Sequence, residues 1–117
     1  MARAEVRRGE VWLVDLGMTQ KVRPAVILSV AYLDHERALI TYVPRTTSLR
    51  DTRFEVVHEA RGFDAGAFDS QSIGTMPAAK LIRRIATLDA ETLAKVEDAV
   101  RSWLALSEAS GRAGGLK

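Results

Sequence analysis

The sequence predicts a mainly β fold with a C-terminal helix, an α+β protein built on a partly open β-barrel of five to six strands. Two observations lead there: several short apolar or alternating runs in the first 88 residues, and a change to helical spacing after Asp89. A chain of 117 residues has room for one hydrophobic core and therefore for one domain. Closure into a barrel is a common way for short strands to hide their edges.

The first two strands are expected to form a hairpin. Residues 10–16 (EVWLVDL) alternate loosely in polarity, and a turn through Gly17 and Thr19 leads into VRPAVILSVA at 22–31. Six of the seven positions from Pro24 to Val30 are apolar, the pattern of a strand that is covered on both faces. Because proline lacks the donor that a sheet ladder needs, Pro24 is expected at the first residue of this strand.

Further short runs predict the remaining strands, at 38–44, 54–58, 67–75 and 81–88. After them, Leu93, Val96, Val100 and Trp103 recur at helical spacing, which predicts a helix at about 90–106 with Asp89 as its N-cap. Trp103 is expected to anchor this helix in the core. The organisation is then an N-terminal arm (1–9), one barrel domain (10–107) and a flexible tail (108–117).

Composition excludes several classes of function. The absence of cysteine excludes disulfides, thiolate nucleophiles and cysteine zinc sites, and two histidines are too few for a convincing metal cage. No apolar run is long enough for a membrane span, and the first ten residues lack a signal-peptide core, so the expected location is the cytoplasm. The formal net charge of +2 does not by itself indicate a nucleic-acid binder.

Cations and hydroxyls are concentrated at the ends of two predicted strands. Arg23 precedes Pro24, which holds it extended at the rim of the barrel, and Arg45, Thr46, Thr47 and Ser48 follow the third strand. An arginine fork matches phosphate oxygens, and serine or threonine hydroxyls can donate to the remaining ones. The cluster therefore suits a phosphodiester, although Pro, Thr and Ser in a row also occur in ordinary turns.

In this order and spacing, the segments RRGEVWLVDL, VRPAVILS, ITYVPRTTS and FEVV, followed by a helix after LDAETL, resemble the MazF/PemK family. The resemblance covers roughly residues 7–106, and its more specific parts are RPAV and P-x-T-[TS]. It implies an SH3-like barrel that forms a symmetric homodimer. It also implies the toxin of a type II toxin–antitoxin system, a ribosome-independent endoribonuclease of the mRNA interferase type that cuts single-stranded RNA at a short sequence. No cofactor or metal is implied, and the expected partner is a MazE-like antitoxin with an acidic tail.

The resemblance also implies a set of site residues. Arg23 matches the arginine of RPAV and Thr46 the threonine after the third strand, with Thr47 as the alternative. In the family reaction a ribose 2′-OH attacks the adjacent phosphate, leaving a 2′,3′-cyclic or 3′-phosphate and a 5′-OH. The general base is left unassigned. His58 is a candidate by its chemistry, but a histidine that ends a strand more often makes a hydrogen bond at the rim. The RNA-binding residues are then expected to be Gln20, Lys21, Arg45, Ser48, Arg50 and Gln71.

Two departures from the family pattern affect substrate recognition. The first loop, LGMTQKV, is short and lacks the glutamate that many members carry before RP. Where many members read D-Q-I-R-T, this chain has DSQSIGT, which places Gly74 at the position of an arginine. A second RNA-contacting cation is then either missing or supplied by Arg45, Arg50 or Arg83, and the recognised RNA sequence cannot be carried over.

Three other functions remain open at this point. The barrel could bind RNA or a partner strand without cutting it, because the second arginine is missing. A CcdB-like gyrase poison would share the barrel but act through its C-terminal end, where SEASGRAGGLK lacks an aromatic or β-branched anchor. A peptide-binding SH3-like module would need an aromatic groove, and the few aromatic residues are spread thinly.

Overall fold

A computed structural model describes residues 6–17 and 21–107. Residues 1–5 of the expected arm, Gln20 and the expected tail at 108–117 lie outside the described residues. The described chain forms seven strands and one α-helix, with these bounds: β1 Glu10–Asp15, β2 Val22–Ile27, β3 Leu39–Thr46, β4 Glu55–His58, β5 Gly66–Asp69, β6 Gly74–Pro77, β7 Leu81–Thr87 and α1 Ala90–Leu104.

The strands form an antiparallel sheet in the order β4-β5-β3-β2-β1-β7, with β6 also paired to β3. The long strand β3 connects the sheet, since its residues Leu39–Tyr42 pair with β6 whereas Arg45 and Thr46 pair with β5. Among the described residues β4 and β7 do not pair with each other, so the barrel is not closed. The predicted α+β architecture, a partly open barrel with a C-terminal helix, is confirmed.

The structure differs from the expected elements in two places. The run at 67–75 contains two strands, β5 and β6, because a 3₁₀ turn at Ser70–Ser72 breaks it and Asp69 caps that turn. The count is therefore seven strands rather than five to six. Pro24 is the third residue of β2, not the first, and it is tolerated there because β2 pairs with β3 only from Ala25 onward.

The central strands bury side chains on both faces, as the apolar pattern of β2 predicts. On one face Val11, Val26 and Val43 pack with Phe68 and with the Val96 side of α1. On the other face the core cluster consists of Val6, Val14, Ala25, Ile27, Ile40 and Met76. Alternate residues of β1, β2 and β3 thus enter two different clusters, which fixes the register of these strands.

The helix begins where the sequence predicts it. Asp89 accepts hydrogen bonds from the Thr92 amide at 3.1 Å and from the Thr92 hydroxyl at 2.7 Å, and the helix ends at Ala105 in the left-handed conformation. The expectation that Trp103 is a core anchor is wrong, because 41% of this residue is exposed. Its indole makes an edge contact with Phe54 and lies in the last turn of the helix, beyond the buried helix residues Val96, Ala99 and Val100. Within the described residues, α1 is neither long nor apolar enough to cross a membrane.

A buried carboxylate organises the start of the barrel. Glu10 accepts hydrogen bonds from the Arg7 amide at 2.9 Å, from Trp12 Nε1 at 3.0 Å and from Arg84 at 3.1 Å. Burial opposes the charged form, but these donors outweigh it and lower the pKa of Glu10 below its usual value. The carboxylate therefore joins the entry of β1 to β7.

We expect Glu10→Ala to lower the free energy of unfolding by about 1–3 kcal/mol, because it removes the buried carboxylate that accepts from three N–H donors, one of them the half-buried indole of Trp12. Urea denaturation followed by circular dichroism measures this. Glu59→Ala, which removes an exposed carboxylate, is the matched control and should leave the midpoint unchanged. Equal midpoints for both variants would contradict the role assigned to Glu10.

Candidate functional site

Arg23 lies at the rim of the barrel because of a mismatch between neighbouring strands. It pairs with Val14 of β1, but on the other side the pairing of β2 with β3 begins only at Ala25. The Arg23 side chain is half-buried and lines two cavities. The sequence predicts that Arg23 lies where loops converge, and the unequal pairing of β2 accounts for such a position.

The first cavity, which we call the cationic cavity, has a volume of about 590 Å³. Four arginines and one aspartate line it, so its wall carries an excess of positive charge. Such a wall attracts a polyanion. Its lining consists of Leu13, Val22, Arg23, Pro24, Arg45, Thr46, Thr47, Ser48, Arg61, Gly62, Phe63, Asp64, Arg83 and Ile85.

The second cavity, which we call the helix-side cavity, has a volume of about 520 Å³. Here two arginines face two carboxylates, and hydroxyls, an amide and an indole complete the wall. Its lining consists of Arg23, Pro44, Thr46, Ser48, Arg50, Thr52, Glu55, Asp69, Gln71, Ser72 and Trp103. This cavity is chemically mixed, whereas the other is predominantly cationic.

The two cavities share three lining residues, Arg23, Thr46 and Ser48. We call this set the junction. It contains the two residues that the sequence singles out for chemistry, and Thr47 lines the cationic cavity alone. The geometry therefore favours Thr46 over Thr47 as the hydroxyl beside Arg23.

Hydrogen bonding within the turn after β3 orients the Thr46 hydroxyl. Its Oγ1 accepts a hydrogen bond from the Ser48 amide at 3.0 Å, while the contact with the Ser48 carbonyl oxygen is long, at 3.5 Å. The amide thus occupies one lone pair of the oxygen, and the hydroxyl proton has no short protein acceptor among these contacts. Thr46 is poised to donate that proton to a ligand at the junction.

Two carboxylates shape the helix-side cavity by holding loop amides. Glu55 accepts from the Arg50 amide at 3.0 and 3.1 Å and from the Asp51 amide at 2.8 Å, and Asp51 adopts a φ of 56°. Asp69 accepts from the Gln71 amide at 3.2 Å and from the Ser72 hydroxyl at 2.8 Å. These contacts fix Arg50 and Gln71 at the cavity wall.

Arg45 and His58, both predicted as site residues, form a buried pair behind the cationic cavity. Arg45 Nε donates to His58 Nδ1 at 2.9 Å, and Arg45 Nη2 donates to the carbonyl oxygens of His58 at 2.7 Å and Asp64 at 2.6 Å. Phe63 stacks on the guanidinium, 5.0 Å from Cζ to the ring centroid. The guanidinium therefore clamps the end of β3 to β4 and to the loop at 59–65.

The pKa values of both Arg45 and His58 are shifted in this pair. Burial lowers the pKa of the Arg45 guanidinium below its ordinary value, and Asp64 partly opposes this. Burial, followed by the charge of Arg45, lowers the pKa of His58, and Asp89 opposes the shift. Because His58 Nδ1 accepts a hydrogen bond, the imidazole is assigned as neutral with its proton on Nε2. His58 lines neither of the two cavities.

The other predicted RNA-binding residues take different positions. Ser48 lies at the junction, whereas Arg50 and Gln71 line the helix-side cavity. Lys21 lies in the turn before β2, where its amide donates to the Gly17 carbonyl oxygen at 2.8 Å, and it lines neither cavity. Gln20 lies outside the described residues.

The sequence did not predict Arg61 as a site residue, and it offered Arg83 only as one of three alternative cations. Arg61 lines the cationic cavity from the loop at 59–65, which has no periodic signal. Arg83, weighed as a replacement cation, enters the same cavity from β7, where it pairs with Leu13. At Gly74 an added Cβ would lie 2.7 Å from the Tyr42 hydroxyl oxygen, so the tyrosine fills the space beside the missing arginine.

Within residues 6–17 and 21–107, no three His, Cys, Asp or Glu side chains are grouped in a way that could hold a metal ion. The junction presents one permanent cation, Arg23, and the hydroxyls of Thr46 and Ser48.

Comparison with known proteins identifies a family. A model of the PemK-like, MazF-like toxins of type II toxin–antitoxin systems matches residues 7–104. This range contains both cavities and every described residue of the junction.

Solved structures share the fold. The Mycobacterium tuberculosis toxin MazF-mt6 is 24% identical with a TM-score of 0.73, covering 85% of this chain and 99% of its own. A mycobacterial endoribonuclease in complex with its cognate antitoxin is 23% identical with a TM-score of 0.76, covering 89% of this chain and 99% of its own. A Deinococcus radiodurans MazE–MazF crystal structure is 22% identical with a TM-score of 0.76, covering 90% of this chain and 100% of its own.

The buried pair of Arg45 and His58 predicts that the stability of the fold depends on pH. The unfolded chain binds a proton at His58 near the ordinary pKa of 6.5, whereas the folded chain resists it. The stabilisation is therefore complete above pH 6.5 and is lost as the pH falls from there toward the lowered pKa of the folded state. Thermal unfolding between pH 7.5 and 5 measures the slope, which His58→Gln should reduce.

His35→Gln is the matched control, because His35 is the other histidine of the chain and is exposed. Identical slopes in wild type and His58→Gln would contradict the buried neutral imidazole.

Gly66 is expected to be intolerant of a side chain. An added Cβ would lie 2.6 Å from the Thr46 carbonyl oxygen and 2.7 Å from Arg45 Nη1. We expect Gly66→Ala to cost about 1–3 kcal/mol of stability through this overpacking, measured by urea denaturation. If the denaturation midpoint of Gly66→Ala equals that of wild type, the end of β3 can move away from the added Cβ without loss of stability.

Proposed function

Because this chain belongs to the PemK-like, MazF-like toxins of type II toxin–antitoxin systems, we propose that it is a metal-independent, sequence-specific endoribonuclease acting on single-stranded RNA. The observation that carries the proposal is the junction, where Arg23 and Thr46 line two cavities at once. A phosphodiester bound there has room for a nucleotide on each side, as the internal cleavage of a strand requires.

The proposed reaction is an internal transesterification. The ribose 2′-oxygen attacks the adjacent phosphorus as its proton leaves, the bond from phosphorus to the 5′-oxygen breaks, and that oxygen gains a proton. The products are a 2′,3′-cyclic phosphate and a 5′-OH. Addition of water to the cyclic product gives a 3′-phosphate.

Arg23 stabilises the charge that grows on the non-bridging oxygens during attack. Its guanidinium is a permanent cation with several N–H donors in a planar fork, which suits two oxygens of one phosphate. A donor that is already in place when the charge develops is worth about 3–4 kcal/mol of barrier. Pairing with Val14 of β1 holds the backbone of Arg23 beside the junction, which its side chain lines.

Thr46 supplies the second donor. Its hydroxyl oxygen accepts from the Ser48 amide, so its proton is available for a phosphate oxygen. Arg45, the next residue toward the N-terminus, keeps this turn in place from inside the fold and has a structural role in the proposal. We likewise assign His58 a structural role rather than a role in proton transfer, because its Nδ1 already accepts a hydrogen bond from Arg45.

The remaining cations guide the RNA strand. Arg61 and Arg83 place positive charge along the cationic cavity, and Arg50 does so on the other side of the junction. These three side chains are exposed, so their contribution to affinity is expected to weaken with salt.

We also propose that the chain acts as a homodimer and is neutralised by a MazE-like antitoxin. Support comes from the family and from the Deinococcus radiodurans relative, which was crystallised as a MazE–MazF complex. An acidic, disordered segment of an antitoxin suits the cationic cavity by charge. Occupation of that cavity would exclude RNA from Arg23.

Cleavage of a long unstructured RNA in EDTA tests the proposed function. We expect wild type to make discrete cuts with 5′-OH ends. Arg23→Ala should lower kcat/KM roughly 100- to 1000-fold, the usual cost of losing one preorganised donor. Thr46→Ala should also lose activity, while Thr46→Ser keeps the hydroxyl and should retain more of it. Sequencing of the new ends and typing of their phosphates give the readout.

Arg37→Ala is the matched control, since Arg37 is exposed and lines neither cavity, and it should cut at the wild-type rate. RNA binding without cleavage by wild type would replace the proposal with a non-cleaving barrel. Equal activity of Arg23→Ala and wild type would remove Arg23 from the chemistry.

A further inference from the structure

The helix-side cavity offers chemistry that phosphate binding does not use. Beyond the junction, its wall presents an indole from Trp103, a side-chain amide from Gln71 and the carboxylates of Glu55 and Asp69. A carboxylate repels phosphate, so these residues do not extend the cationic path. An aromatic surface beside hydrogen-bonding groups is instead the usual composition of a site for an unpaired nucleobase.

Trp103 has the position of a stacking platform. Its ring makes an edge contact with Phe54, with the centroids 5.3 Å apart and the planes at 62°. Phe54 itself is buried and is covered by the Arg53 guanidinium at 4.5 Å, so the indole rests on a fixed support. Although an apolar helix stripe would normally bury such a ring, much of Trp103 remains open to the cavity.

The two carboxylates point to one kind of base. An ionised carboxylate can only accept hydrogen bonds. Loop donors hold Glu55 and Asp69 in place. Glu55 Oε1 accepts from two amides, whereas Glu55 Oε2 and each Asp69 oxygen accept one hydrogen bond and keep a lone pair for a further donor. A base with an exocyclic amino group, which adenine, cytosine and guanine have and uracil lacks, provides the matching donors.

We propose that the helix-side cavity is a nucleobase subsite in which Trp103 stacks on a base next to the scissile phosphate and the carboxylate wall selects a base that carries an exocyclic amino group. The inference rests on the proposed function, because it places that phosphate at Arg23 and Thr46. Continuity between the cavities supports it, since the three shared residues connect the phosphate position directly to the base position.

Comparison of cleavage profiles tests the subsite. Wild type should cut where one position next to the scissile bond is adenine, cytosine or guanine and never uracil. Trp103→Leu should lower kcat/KM roughly 5- to 100-fold through the loss of stacking, while Trp103→Phe keeps an aromatic face and most of the activity. Leu104→Ala is the matched control, because Leu104 is exposed in the same turn of α1 and lines neither cavity; it should match wild type.

A binding measurement separates this inference from the nuclease activity. RNA oligonucleotides with 2′-O-methyl groups cannot undergo 2′-OH attack, yet they should quench the indole emission of wild type by stacking. Trp103→Phe retains only Trp12, which lines neither cavity, and should lose the quenching. Quenching by a protein that cuts no RNA would reject the proposed nuclease and keep only base stacking on Trp103.

Other outcomes overturn the subsite while leaving the nuclease in place. One is a Trp103→Leu variant that cuts with the wild-type rate and sequence preference. Another is a cut sequence that requires uracil on both sides of the scissile bond. A third is a changed oligomeric state of Trp103→Leu in size-exclusion chromatography, which would assign the indole to a contact between two copies.

Discussion

The buried Arg45 guanidinium is the interaction on which the rest of the site depends. It joins the end of β3 to His58 in β4 and to the Asp64 carbonyl oxygen in the loop at 59–65. Burial of a charge is costly unless it is well hydrogen-bonded, and here a ring nitrogen and two carbonyl oxygens accept from it. The adjacent Thr46 therefore has a fixed position, and the loop that carries Arg61 is held against the barrel.

A second constraint comes from the unequal pairing of β2. Because β3 joins it only from Ala25, Arg23 has a strand on one side and open space on the other. A cation that extends from a paired strand into open space suits electrostatic catalysis, which gains when the charge lies at the site before the reaction begins. The same opening separates a cationic surface from a mixed one, which suits a phosphate backbone on one side and a base on the other.

Local rules explain what the sequence predicted. Arg23 and the Asp89 cap follow from a proline and a helix start, each readable within a few residues, whereas Thr46 was selected from its hydroxyl-rich turn by the resemblance to the MazF/PemK family. Long-range contacts explain the rest. Arg45 was expected to bind RNA, but its partners lie 13 and 19 residues away and turn it inward. Trp103 fits the apolar stripe of the helix, but the stripe is buried only as far as Val100, and Trp103 is exposed. Arg61 belongs to a loop without any periodic signal.

The most direct test of the central claim is a crystal structure of the protein with an RNA oligonucleotide that carries a 2′-deoxy sugar at the scissile nucleotide, which blocks the attack. The account predicts that the scissile phosphate accepts hydrogen bonds from Arg23 and from the Thr46 hydroxyl, with the flanking nucleotides in the two cavities. A phosphate bound elsewhere on the barrel, with the junction empty, would contradict it.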